Sequence, residues 1–99
     1  HLDLRFNDLT DINSEWFSHI HKLETLDLNG NRINRLTKEM LSHLTNLTYL
    51  CLGWNEFNQL DDGVFCHLKN LENLHISYNN NLRELKPKVF DGLDKLENL

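Results

Sequence analysis

Leu23-x-x-Leu26-x-Leu28-x-x-Asn31-x-Ile33-x-x-Leu36 returns 24 residues later as Leu47-x-x-Leu50-x-Leu52-x-x-Asn55-x-Phe57-x-x-Leu60, and again as Leu71-x-x-Leu74-x-Ile76-x-x-Asn79. The first unit runs on into Leu41 and Leu44, and the second into Phe65 and Leu68. The third continues with Leu82, Leu85, Phe90 and Leu93, each displaced by one position. Upstream, Leu2, Leu4, Asn7, Leu9, Ile12, Phe17 and Ile20 form a unit that lacks its first residues, and downstream Leu96 and Leu99 open another. The units therefore begin near residues 1, 23, 47, 71 and 96, with lengths of 24, 24 and then 25 residues.

The L-x-L alternation has a period of two, so each run reads as a short strand that turns alternate side chains inward. A 24-residue coil with one strand per turn must stack its strands in parallel, ~4.8 Å apart. No single turn can bury its own apolar residues, so neighbouring turns complete the core. Asn7, Asn31, Asn55 and Asn79 stand where the chain turns sharply off each strand. Backbone amides and carbonyls there lack ladder partners, and an asparagine has both donors and an acceptor to offer them. The pattern thus predicts a buried asparagine ladder that serves its own coil and the next.

Ninety-nine residues make one domain's worth of chain, 39% hydrophobic and 25% charged. Ten basic against fifteen acidic residues give a net charge of -5. That balance argues against a phosphate-backbone binder, which needs a basic stripe, and no nucleic-acid partner is expected. The only basic cluster is Arg83, Lys86 and Lys88. No stretch approaches the ~20 apolar residues of a transmembrane helix. His1-Leu2-Asp3-Leu4 already reads as repeat rather than as a leader. A single array over 1–99 without N- or C-terminal caps is expected, as from a longer solenoid whose flanking repeats or caps lie elsewhere. No motif of nucleophilic, metal-hydrolytic or phosphate-loop chemistry is present, so an enzyme is not expected, and neither is a cofactor.

Over its whole length the chain resembles leucine-rich repeat proteins. The 24-residue unit with a late phenylalanine (Phe17, Phe65, Phe90) is similar to the extracellular class found in Toll-like receptor ectodomains and in matrix or neuronal repeat proteins, and Val89-Phe90-Asp91-Gly92-Leu93 is particularly like it. The resemblance implies an α/β right-handed solenoid with a curved parallel β-sheet on the concave face and a mostly irregular or short-helix convex side. It also implies that the concave face or its edges bind protein or other macromolecular ligands.

Residues between the strand leucines fall into columns on that face: Thr25, Tyr49, Asn73; Asp3, Asp27, Cys51, His75; Arg5, Asn29, Gly53, Ser77; and beside them Phe6, Gly30, Trp54, Tyr78. Exposed aromatics next to polar groups are the usual interface anchors. Tyr49, Trp54 and Tyr78 are the candidate contacts, with Asp27, Asn73 and His75 as their polar rim. Shielding of the strand-to-turn corner is the competing role for Trp54 and Tyr78.

Other features carry weaker expectations. The Asp3, Asp27, Cys51, His75 column holds metal-ligand residue types, but a flat column is not a tetrahedral cage, and no metal is expected. His19, His43 and His67 repeat every 24 residues on the far side and read as turn filler at the place of Gly92 rather than as a pH switch. Cys51 and Cys66 fall on opposite sides of one coil, beyond the ~7 Å that a disulfide spans, and read as free thiols. Asn46-Leu47-Thr48 is an N-glycosylation sequon on an exposed turn, whereas Asn70-Leu71-Glu72 lacks the hydroxyl. The run Asn79-Asn80-Asn81 carries the extra residue of the long unit.

Together these features favour a recognition module of an extracellular or cell-surface ectodomain, with innate immune sensing as the first reading. A matrix or neuronal adhesion protein and an intracellular scaffold are the alternatives.

Overall fold

The computed structural model describes residues 1–79, 81–82 and 85–98. Four short strands, β1 (Leu2–Asp3), β2 (Thr25–Asp27), β3 (Tyr49–Cys51) and β4 (Asn73–His75), lie side by side in chain order. All pairs are parallel. Register follows the repeat: Leu2 faces Leu26, Leu26 faces Leu50, and Leu50 faces Leu74. The unit near 96 joins the sheet through a single parallel bridge, Asn73 to Asn98. Each connection is a crossover between parallel neighbours, an arrangement that is right-handed in nearly all proteins. The result is a solenoid of stacked coils.

The convex side is built from single turns. Three 3-10 helices, Ser14–Phe17, Lys38–Leu41 and Pro87–Phe90, lie there, and residues 62–67 form turns in the same place of the unit that begins at 47. Local chemistry explains each start. Asn13 accepts a hydrogen bond from the Glu15 amide, and Thr37 accepts one from the Met40 amide while Met40 Sδ accepts from Thr37. Pro87 opens the last helix, where its missing N–H costs nothing. Among the described residues no α-helix occurs, so the helical part of the α/β architecture is 3-10 throughout.

Leu26, Leu28, Leu47, Leu50, Leu52, Leu71 and Leu74 are fully buried, together with Phe17, Phe57 and Phe65. Each such side chain stabilises the fold by ~1.5–3 kcal/mol relative to exposure. The same positions in the end coils (Leu2, Leu4, Ile76, Leu96) are only partly buried, because a neighbour covers them on one side alone. Burial is therefore a property of the stack rather than of the coil.

Asn31, Asn55 and Asn79 are the only buried polar residues among those described. Asn55 Nδ2 donates to the carbonyls of Leu52 and Gly53 in its own coil and Leu28 in the preceding one, each at 3.0 Å, while its Oδ1 accepts from the Ile33 amide at 3.2 Å. Asn79 repeats this with Ile76, Ser77, Leu52 and the Phe57 amide. Asn31 does the same with Leu28, Leu4 and the amides of Asn7 and Leu9. The ladder thus reaches backwards, to the coil before and not to the coil after. The asparagine lies where its own turn enters the core, and the open amides within reach are those of the preceding turn. Asn7 is exposed, and its amide is served by Asn31.

Candidate functional site

The parallel register brings the predicted columns together on the sheet's concave face. Thr25, Tyr49 and Asn73 are neighbours across β2, β3 and β4, and so are Asp27, Cys51 and His75, with Asp3 ahead of them on β1. Tyr49 and His75 lie in adjacent columns with ring centroids 5.4 Å apart and planes tilted by 47°. Asn73 Oδ1 accepts a hydrogen bond from Asn98 Nδ2 at 2.7 Å.

Tyr49 is half-buried rather than a projecting anchor. Interaction of its hydroxyl with the Cys51 sulfur, and then burial, push it up to about 12, so the phenol is neutral at any physiological pH. Burial raises the Cys51 thiol as well. A raised, enclosed thiol is a poor nucleophile and a poor metal ligand. At the first-strand end of the face, Arg5 Nη2 lies 2.7 Å from Asp3 and its Nε 3.7 Å from Asp27. Hydrogen bonding to the Arg5 side chain and backbone holds the Asp3 carboxyl at about 2. One arginine shared by two carboxylates leaves this end of the face with a net negative charge.

Trp54 and Tyr78 do not lie on the strand surface. The structure places them at the corner where each strand ends, one residue before a ladder asparagine. Phe6 (φ 57°), Gly30 (φ 72°), Trp54 (φ 53°) and Tyr78 (φ 62°) all adopt left-handed backbone. This turn drives the following asparagine inward and tips its own side chain outward. For a bulky L-residue that conformation costs ~1–2 kcal/mol, and it persists because the ladder and the sheet fix the backbone on both sides. Trp54 and Tyr78 stack at 4.2 Å between centroids with 13° between planes. Both remain largely open, 58% and 61% exposed, and Phe6 is 74% exposed. Phe6 lies over Gly30, where an added Cβ would meet its ring. Phe6 stands in the predicted column with Trp54 and Tyr78 but was not among the candidate contacts, and Gly30 separates it from them.

A second row, at the position that Asn46 and Asn70 share in successive units, lies at the opposite edge, just before the strands. Asn46 Nδ2 donates to the His21 carbonyl at 2.9 Å, Asn70 Nδ2 to Thr45 at 2.9 Å, and Lys95 Nζ to Asn70 Oδ1 at 2.8 Å. The repeat showed the shared position of Asn46 and Asn70, while these bonds to the neighbouring coil appear only when the coils are stacked.

Among the described residues, no group of three metal-ligating side chains converges, and Cys51 and Cys66 are both free. His19, His43 and His67 are exposed and do not share the left-handed conformation of Gly92 (φ 90°). Gly92 answers a different need: a Cβ there would stand 3.0 Å from Cys66 Cα in the preceding coil. Of the inserted run, Asn79 is buried and Asn81 exposed, while Asn80 lies outside the described residues, as does Arg83 of the basic cluster. Leu99 lies outside them too. No described helix is long and apolar enough to cross a membrane.

The coils match part of two solved structures. The chain is similar to TLR13 in the crystal structure of the TLR13-ssRNA13 complex, with 32% identity, a TM-score of 0.90 and coverage of 98% of this chain and 14% of that one. It is also similar to a leucine-rich repeat protein of Leptospira interrogans, with 26% identity, a TM-score of 0.64 and coverage of 100% and 30%. The chain thus spans well under half the length of either. No curated protein matches it. The Leucine rich repeat model matches residues 1–57 and 54–99. With every coil accounted for by that model, and with the solenoid and its asparagine ladder in place, the chain belongs to the leucine-rich repeat family.

Proposed function

We propose that this chain is a non-enzymatic recognition segment of a receptor-like ectodomain, which engages a protein ligand through the concave face and the aromatic edge beside it. The observation that carries this reading is the stacked Trp54–Tyr78 pair, more than half exposed on left-handed backbone. Two large rings held open on a strained, rigid turn present area to a partner at small entropic cost. Tyr49, Asp27, Asn73 and His75 supply polar contacts on the adjoining strands. An extracellular location with a role in innate immune sensing is supported by the TM-score of 0.90 to TLR13. Free Cys51 and Cys66 favour the intracellular scaffold as the second reading.

The TLR13 structure is of a complex with ssRNA13. A protein ligand is preferred here because the net charge is -5 and the face's arginine, Arg5, is already paired with Asp3 and Asp27. The test presents the protein with an array of purified extracellular proteins and with mixed-sequence single-stranded RNA at physiological salt. Retention of a protein ligand that falls at least tenfold in Trp54→Ser and Tyr78→Ser is expected. Retention of RNA instead, or ligand binding indifferent to both substitutions, overturns the reading.

A further inference from the structure

Strands in a parallel sheet all start at one edge and finish at the other. Trp54 follows β3 by three residues, and Asn46 precedes it by three. The two therefore mark opposite edges, separated by up to ~26 Å of extended chain. Asn46 is exposed and is followed by Leu47 and by the hydroxyl of Thr48, the acceptor sequence for N-linked glycosylation.

We propose that Asn46 carries an N-linked oligosaccharide, which covers the edge where the strands begin and leaves the Trp54–Tyr78 edge open for the ligand. The site rests on the ectodomain reading, because the modification takes place in the secretory pathway. Its chemistry is compatible with the folded geometry. Asn46 Nδ2 loses one hydrogen and bonds to the anomeric carbon of a lipid-pyrophosphate-linked oligosaccharide, whose pyrophosphate leaves as the proton is released. The amide keeps its second hydrogen, and one is all that the 2.9 Å bond to the His21 carbonyl requires. The glycan then points away from the stack. The next unit shows why only one coil is marked: Asn70 has Glu72 in place of the hydroxyl, and its Oδ1 is taken by Lys95.

The experiment exports the full chain from mammalian cells behind a secretion leader and maps modified asparagines by mass spectrometry after enzymatic glycan release. Asn46 is expected to be modified in the wild type and in Thr48→Ser, and unmodified in Thr48→Ala, which keeps Asn46 and its bond to His21. A folded, exported wild type with bare Asn46 overturns the site, as does modification that survives Thr48→Ala. Iodide quenching of Trp54 fluorescence, read in a Trp16→Phe background, is expected to be the same before and after glycan removal. Weaker quenching with the glycan present overturns the assignment of edges. Failure of the ectodomain reading is seen separately, as cytosolic residence of the endogenous protein.

Discussion

Trp54 lies against Tyr78 with ring planes 13° apart and centroids at 4.2 Å, and both residues hold the left-handed backbone that L-side chains avoid. The stack returns ~0.5–1.5 kcal/mol, which offsets only part of the ~1–2 kcal/mol of conformational cost at Trp54 alone. Trp54→Gly removes ring and strain together and is expected to stay within about 1 kcal/mol of wild type by thermal melting. Trp54→Ala keeps the strain without the stack and is expected to be the less stable of the two. A glycine variant markedly less stable than wild type would mean that the ring supports the fold rather than facing a partner, and one less stable than the alanine variant would mean that residue 54 does not hold left-handed backbone.

Asn55 serves two coils at once; its loss orphans the Ile33 amide and takes one of two donors from each of the carbonyls of Leu28, Leu52 and Gly53. Asn55→Ala is expected to cost about 1–3 kcal/mol in urea unfolding, the range for a buried group left unsatisfied. Asn7→Ala, at an exposed position, is expected to cost well under 1 kcal/mol. Equal losses at the two positions would show that the column does not act through buried hydrogen bonds.

Gly30 and Phe6 are coupled. A methyl group at residue 30 meets both the Phe6 ring and a φ of 72°. Gly30→Ala is expected to destabilise by about 1–2 kcal/mol from the backbone alone, with a further part that disappears when Phe6→Ala is present. A double-mutant cycle measures that part. A coupling of zero would place the Phe6 ring away from Gly30.

Asp3 titrates at about 2 because Arg5 hydrogen-bonds it. Its folded value lies below the unfolded ~3.9, so its contribution to stability is present above ~3.9 and is lost as pH falls through about 2. Between pH 5 and 8 it changes nothing. Carboxyl NMR titration is expected to place the Asp3 midpoint near 2 and to return it toward ~3.9 in Arg5→Ala. A midpoint unmoved by Arg5→Ala would show that the pair does not persist in solution.

The 24-residue period carried the coil, the strand register and the columns, since each follows from which leucines must meet. Backbone conformation at the corner was not legible. Aromatic residues argue against positive φ, so the sequence left Trp54 and Tyr78 between concave-face contact and a corner role, and their left-handed turn with outward rings was not foreseen. Tyr49 read as an open anchor because its column faces solvent, yet burial beside Cys51 depends on the size of neighbours that the alternation does not weigh. The ladder's direction was equally hidden: the column of asparagines is the same whether each bonds forwards or backwards. The repeat also concealed the difference between His67 and Gly92, whose close approach to Cys66 arises only when coils are stacked.

The backward reach of Asn31, Asn55 and Asn79 gives the solenoid a polarity in time as well as in space. A coil's turn amides stay open until the following coil delivers its asparagine, so each newly made unit seals the one before it. A chain emerging from the ribosome N-terminus first closes like a zipper drawn in the direction of synthesis, with a single unsealed turn travelling at its growing tip. Removing residues from the C-terminal side therefore reopens a turn already closed, whereas removing them from the N-terminal side strands only the asparagine donors that had reached back to it.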